Sequence, residues 1–272
     1  MDKSEIRNPK SEIGKAFEKL VEIIARLRSE NGCPWDRQQT HESLKENLLE
    51  ETYEVIDAID ARDMDELRSE LGDLMMQIVF HAQLADERGQ FDIEDSINSI
   101  AEKLIRRHPH VFGDAEVASS EEVLHRWAEI KAKEKGYENR TSVLDGVPNT
   151  LPALARAMEI SKRAVKTGFE WPNLDAVIEK LEEEVDELKH ELGTGNRERI
   201  EEEIGDLLFT IVNIARWTKV DPEDALRTMT KRFSERFKQI EEVARAGGKP
   251  IEEMTIEEMD ALWNRAKEKG AK

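Results

Sequence analysis

The chain has 272 residues, which at about 150 residues per domain points to two domains. Its 41 Lys and Arg against 60 Asp and Glu leave a net charge of −19, which excludes phosphate-driven binding of nucleic acid polymers and argues against an anionic small-molecule substrate. Charge studs the N-terminal stretch where a signal core would lie, the longest apolar run (Leu74 to Phe80) is far short of the roughly 20 residues that span a bilayer, and the single Cys33 suits a reducing compartment. The expectation is a cytoplasmic protein with neither membrane nor nucleic acid as a partner.

Apolar residues recur at three- and four-residue spacing and strand-type alternation is scarce, so the pattern predicts an all-α chain. Helices are expected first over 14–29 and 41–61, the latter with Leu44, Leu48, Thr52, Val55 and Ile59 as its inward stripe. The next, 64–87, contains Leu74 to Phe80, apolar nearly all round, and reads as a central helix. Helices at 93–107 and 120–134 follow, with His108-Pro109-His110 between them as a loop; Cys33, beside Pro34 and Trp35, reads as a packed thiol. Gly136 to Pro152 holds two glycines and two prolines and marks a linker. Beyond it come helices at 152–166, 174–192, 196–217, 222–246 and 256–269, with Leu207 to Val212 repeating the central apolar run. The last helix of each set opens on a capping box, Ser119-x-x-Glu122 and Thr255-x-x-Glu258.

The second half repeats the first. Leu49-Glu50-Glu51-Thr52-Tyr53-Glu54 is answered by Glu182-Glu183-Glu184-Val185-Asp186-Glu187, and Glu70-Leu71-Gly72-Asp73-Leu74 by Glu203-Ile204-Gly205-Asp206-Leu207, both at a spacing of 133. Gly32-Cys33-Pro34-Trp35 matches Gly168-Phe169-Glu170-Trp171, and Asp92-Ile93-Glu94-Asp95 matches Asp221-Pro222-Glu223-Asp224, with the spacing drifting only between helices. The expected architecture is two tandem copies of a four/five-helix bundle unit, 14–135 and 152–270, with 136–151 as linker.

Repetition gives the acids meaning. Glu51 and Glu54 are three apart, as are Glu70 and Asp73, so each pair shares a helix face, and Glu184 with Glu187 and Glu203 with Asp206 repeat the arrangement. A surface Glu pair is ordinarily just solvated, but carboxylates at the mouth of an apolar run are costly unless paired or metal-bound. Four from two adjacent helices make an all-oxygen set that suits Mg²⁺ or Mn²⁺ rather than zinc, and magnesium's habit of keeping phosphate oxygens in its shell points to a phosphorylated substrate. Cations follow the same duplication: Arg232 and Arg236 are echoed by Lys103 and Arg107, Trp263 and Lys267 by Trp127 and Lys131, and Lys180 precedes Glu184 by one turn. Such residues hold phosphate oxygens and stack on a base; the alternative is a packed Trp with a snorkelling Lys. Glu187-x-x-His190 and Glu122-x-x-His125 have di-iron spacing, yet neither recurs in the other unit, and no glycine-rich phosphate loop is present.

The pattern Glu-Glu-x-x-Glu followed by Glu-x-x-Asp, twice, with Gly32-Cys33-Pro34-Trp35-Asp36, the Arg106 to Asp114 segment and Gly168-Phe169-Glu170-Trp171, closely resembles the MazG family over residues 14–269. This is a family of tandem-domain nucleoside triphosphate pyrophosphohydrolases in the all-α pyrophosphatase superfamily; the acidic pattern alone is shared with dimeric dUTPases and phosphoribosyl-ATP pyrophosphohydrolases. The resemblance implies Mg²⁺-dependent cleavage between the α- and β-phosphates, a homodimer, and removal of non-standard nucleotides. By motif it implies Glu184, Glu187, Glu203 and Asp206 as metal ligands and Lys180, Arg232, Arg236, Trp263 and Lys267 as nucleotide contacts, Arg232 standing where a lysine is common. It favours the C-terminal copy for catalysis, while Glu51, Glu54, Glu70 and Asp73 are all intact in the first; in the mechanism expected at the second set, Glu183 or Glu187 accepts the proton of the attacking water. Two other readings remain: a dUTPase-like enzyme selective for one base, and a non-enzymatic helical scaffold.

Overall fold

The computed structural model describes residues 10–115, 117, 119, 122, 123, 126, 127, 130, 131, 134 and 141–269. His125 and most of the helix expected over 120–134 lie outside the described residues. All regular structure among the described residues is helical. The chain divides into two compact units, Met1–Lys135 and Gly136–Lys272.

The first unit contains α1 (Lys10–Arg28), α2 (Pro34–Gln38), α3 (Lys45–Ala61), α4 (Met64–Asp86), α5 (Ile93–Arg107) and α6 (Pro109–Phe112). Its centre is the α3–α4 hairpin, closed by only two residues. Arg62 takes a left-handed conformation (φ 56°) to end α3, and the Asp63 carboxylate then accepts from the Asp65 and Glu66 N–H groups, each at 3.1 Å. α1 packs across α4, and Ile24, Leu44, Val79, Phe80 and Leu84 form the buried core, edged by Phe17, Leu20 and Leu27.

The second unit contains α7 (Ala153–Val165), α8 (Leu174–Thr194), α9 (Arg197–Trp217), α10 (Pro222–Ala246), a 3₁₀ turn (Ile251–Glu253) and α11 (Ile256–Lys269). Here the α8–α9 hairpin turns on Gly195 (φ 70°), whose lack of Cβ makes the left-handed closure easy, and on Asn196, which caps α9. α7 packs across α9 through Met158, Val212 and Ala215. The Thr255–Glu258 capping box forms in both directions, at 2.8 and 3.3 Å, and the Ser119 hydroxyl accepts from the Glu122 N–H at 3.2 Å.

Four expectations need correcting. The helix expected from residue 41 begins at Lys45, because Thr40 and Ser43 exchange side-chain–backbone hydrogen bonds that hold a turn instead. His108-Pro109-His110 is not a plain loop: Pro109 opens the short α6, its missing N–H costing nothing at a first helical turn. Ile59 does not join the inward stripe; it is 53% exposed. The central helices are central in contact but not covered all round, since Met75 and Ile78 on α4 and Leu208, Phe209 and Ile211 on α9 remain exposed. Each hairpin has apolar residues on more faces than its own unit has helices to cover.

Because the Asp63 cap holds the hairpin turn, Asp63→Ala is expected to lower unfolding stability by about 1 kcal/mol, read as a reduced urea midpoint at unchanged slope.

Candidate metal and nucleotide site

Each hairpin carries one acidic set: Glu51 and Glu54 on α3 with Glu70 and Asp73 on α4, and Glu184 and Glu187 on α8 with Glu203 and Asp206 on α9. Carboxylate oxygens of Glu51, Glu70 and Asp73 lie within 4.8 Å of one another, as do those of Glu184, Glu187 and Glu203. Glu54 and Asp206 stand outside these triples, although Asp206 lines the same cleft as its triple. Oxygens bound about 2.1 Å from one Mg²⁺ lie within about 4.2 Å of each other, so small side-chain adjustments would close either triple on a hard cation.

Electrostatics bear the crowding out. Burial, and then the charge of Glu187, pushes the Glu203 carboxyl above its ordinary value, against an opposing pull from Arg199. Glu70 is raised by burial and then Glu54, and Glu51 by burial and then Asp73. Glu184 and Glu203 are buried at 4% and 6% exposure. An all-oxygen, partly desolvated, mutually repelling set fits a divalent cation.

Cations distinguish the units. Lys180 Nζ bridges Glu183 at 2.6 Å and Glu184 at 2.9 Å, and both bonds push its pKa up. Arg199 reaches Glu202 at 2.5 Å and comes within 3.7 Å of Glu203. These residues line a cleft of about 820 Å³ with His190 at its side. The equivalent positions in the first unit are Asn47 and Glu66. There Gln77, buried on α4, points its amide nitrogen at Glu51 from 3.5 Å.

The remaining predicted contacts gather elsewhere. Trp263 on α11 packs on Phe233 at 5.1 Å between ring centroids, with the Arg236 guanidinium 5.6 Å from its ring, while Arg232 bonds the Met229 sulfur at 3.1 Å and Lys267 is exposed. None of these four is among the described residues lining the cleft. In the first unit Arg107 and Lys131 lie over Trp127 at 4.9 and 4.8 Å, and Lys103 is half-buried on α5. The Glu134 carboxylate takes hydrogen bonds from Arg107 and Arg106 that pull its pKa down to about 2.

Sequence reasoning missed Arg199, which stands four residues before Glu203 as Lys180 does before Glu184; that i,i+4 spacing was the available signal. It also missed the stacked pair His41 and His81, whose Nδ1 atoms lie 2.9 Å apart so that only one of the two bears a proton. Burial lowers the His81 pKa, and the neighbouring His41 lowers it further.

Two helical bundles in tandem, each with a carboxylate triple held across a helical hairpin, define an all-α protein with duplicated acidic metal-type sites. The model of the MazG nucleotide pyrophosphohydrolase domain matches the chain twice, at residues 39–112 and 173–241. The chain is 50% identical over 256 residues to the nucleoside triphosphate pyrophosphohydrolase/pyrophosphatase MazG of Thermotoga maritima, covering 94% of this chain and 97% of that protein. It is 44% identical over 254 residues to the nucleoside triphosphate pyrophosphohydrolase of Escherichia coli, covering 92% and 97%. A crystal structure of a mazG-related protein from Thermotoga maritima aligns with 43% of this chain and 99% of its own, at 35% identity and a TM-score of 0.38. The chain belongs to the MazG family.

The raised pKa of Glu203 has a testable sign. Below its ordinary value of 4.5 the carboxyl is neutral folded and unfolded; as pH climbs through the raised folded value, ionisation in the crowded site removes stability. Glu203→Gln is therefore expected to gain melting temperature relative to the parent as pH rises across that window, measured in EDTA.

Proposed function

We propose that this chain hydrolyses nucleoside triphosphates at the α–β phosphoanhydride, releasing nucleoside monophosphate and pyrophosphate, with Mg²⁺ or Mn²⁺ as cofactor and the second unit as the main hydrolytic copy. Nucleotide-pool cleaning in the cytoplasm is the role that follows. The observation that carries the reading is the meeting, in one cleft of the second unit, of the Glu184–Glu187–Glu203 triple with Lys180 and Arg199. The names of the Thermotoga maritima and Escherichia coli relatives support the same activity.

Glu184, Glu187 and Glu203 would hold the cation, with Asp206 within the same cleft to complete its shell. When bound, such an ion screens phosphate charge and makes a neighbouring water more acidic. Glu183, which lines the cleft outside the triple, or Glu187 within it would accept the proton from the attacking water. Lys180 and Arg199 then face the phosphates, and Lys180 would exchange its carboxylate partners for phosphate oxygens. Arg232, Arg236, Trp263 and Lys267 take part only where α10 and α11 approach the cleft.

A homodimer is the proposed assembly. Its support is the uncovered apolar surface: Leu208 and Ile211 on α9, Leu226 and Phe233 on α10, and Ile97 and Ile100 on α5 are all more than two-fifths exposed. Ile211→Asp is expected to shift the light-scattering mass toward that of a single chain.

Pyrophosphate release from nucleoside triphosphates tests the activity. Glu203→Gln is expected to lower kcat/KM by about 100-fold or more, while Glu70→Gln leaves most of it. Undiminished turnover in Glu203→Gln would sink the assignment to the second unit, and no magnesium- or nucleotide-linked rise in melting temperature of the parent would favour the inert scaffold.

A further inference from the structure

Asp73 and Gln77 are one turn apart on α4, so the Gln77 side chain follows the acidic set of the first unit along the same face. Gln77 is 5% exposed, and its Oε1 is buried with no hydrogen-bond partner among the described residues. Buried acceptors left unmet cost stability, and folded proteins keep few of them. The other end of the amide, Nε2, stands 3.5 Å from Glu51 Oε1, which is long for a hydrogen bond.

That distance suits a different relation. The last torsion of a glutamine is broad and roughly two-fold, so the amide turns over readily and brings its oxygen to the place of its nitrogen. Two oxygens at right angles around a hard cation, each about 2.4 Å from it, lie about 3.4 Å apart, and two on opposite sides about 4.8 Å. The Gln77–Glu51 separation of 3.5 Å is that of neighbouring ligands, and the 4.8 Å limit on the Glu51–Glu70–Asp73 triple is that of opposite ones. Three carboxylates with an amide oxygen form a shell supplied wholly by protein, of the kind that holds Ca²⁺-sized ions, whereas a Mg²⁺ shell is usually completed by water and substrate phosphate.

Charge sets the two units apart. Burial, and then Asp73, raises the Glu51 carboxyl, and the pull that opposes them comes from the Gln77 amide rather than from a cation. Glu70 is raised by burial and then by Glu54, Glu66, Asp73 and Glu51, all of them carboxylates. In the second unit Lys180 Nζ lies 2.9 Å from Glu184, and Arg199 lies 3.7 Å from Glu203. An ion entering there competes with two positive side chains already in place. Thr210 stands where Gln77 stands in the first unit, at the spacing of 133, and brings no amide oxygen.

We propose that the first unit takes up a hard divalent cation by itself, held by Glu51, Glu70, Asp73 and the amide oxygen of Gln77, whereas the second unit takes its cation only together with phosphates that draw Lys180 and Arg199 away from Glu184 and Glu203. The ion of the first unit is then a resident one that relieves the repulsion across the α3–α4 hairpin. The proposal rests on the reading of the two triples as cation sites and not on hydrolysis.

The test titrates the full chain with Mn²⁺ in the absence of nucleotide, following the free ion by electron paramagnetic resonance. One Mn²⁺ per chain is expected. Glu70→Gln is expected to weaken it by about tenfold or more, and Glu203→Gln to leave it unchanged. Gln77→Leu is expected to weaken it by about tenfold or more, while Gln77→Glu, which keeps an oxygen at that place, binds at least as tightly as the parent. Melting curves in EDTA establish that each variant is folded. The double variant Lys180→Gln, Arg199→Gln, freed of both competitors, is expected to bind a second Mn²⁺ per chain. The proposal is overturned by a parent with no nucleotide-free site, by a site lost in Glu203→Gln and kept in Glu70→Gln, or by equal affinities in the parent and folded Gln77→Leu. Melting with Mn²⁺ and a non-hydrolysable ATP analogue separates it from the reading beneath it. No rise with or without the analogue refutes both triples as cation sites, and a rise only with the analogue refutes this proposal alone. One bound Mn²⁺ in a chain that releases no pyrophosphate refutes hydrolysis and upholds the resident ion.

Discussion

Everything in this molecule is arranged around like charges held close together. Two helical hairpins each bring three carboxylates to within 4.8 Å of one another, and burial plus mutual repulsion raises the pKa of Glu203, Glu70 and Glu51. Nothing in that arrangement favours folding. It is sustained by apolar packing along the hairpin, where α9 packs on α7 through Met158 and Val212, and α4 on α1 through Ile24 and Val79. The two-residue turns matter for the same reason: Arg62–Asp63 and Gly195–Asn196 set the register in which acids on neighbouring helices meet.

The duplication preserved this constraint and changed what surrounds it. In the second unit Lys180 and Arg199 partly neutralise the triple; in the first, the equivalent positions are Asn47 and Glu66, which bring no positive charge. Beside the second triple the hydrogen-bonded pair Ser161 and Asn213 lines a cavity, whereas in the first unit Phe80, which answers Asn213, is buried in the core.

Much of the fold was legible in sequence because it is written locally. Three- and four-residue periodicity gave the helices, and caps such as Asp63, Asp92, Asn173 and Asp221 stand at their starts. The start of α3 was not legible, since Thr40 and Ser43 satisfy the backbone as well in a turn as in a helix. Nor was the exposure of Ile78 or Phe209, because periodicity says which residues are apolar and not what covers them. The acids were found by pairs at i,i+3, but which three meet depends on hairpin register, so Glu54 and Asp206 fell outside the triples. Arg199 was not legible because it has no cationic counterpart in the first unit, where Glu66 stands at its position, and lies outside the quoted acidic motif. The cavity lined by Asn213 was not legible either, because a lone Asn in an apolar run does not say what it faces.

The net charge of −19 counted against an anionic substrate, and the site shows both why that inference fails and what it still demands. At physiological ionic strength a charge is screened beyond about 8 Å, so the distant acidic surface is scarcely felt in the cleft and only local groups decide. Locally, the cleft is lined by Lys180 and Arg199 against Glu183, Glu184, Asp186, Glu187, Glu191, Glu202, Glu203 and Asp206. Two cations cannot make such a lining attractive to a triphosphate. A cation of higher charge, seated among the buried carboxylates, is the one addition that would relieve their repulsion and reverse the sign of the field at the same place. Under the proposed function, the acidity that seemed to exclude a nucleotide would be what ties its binding to a divalent ion.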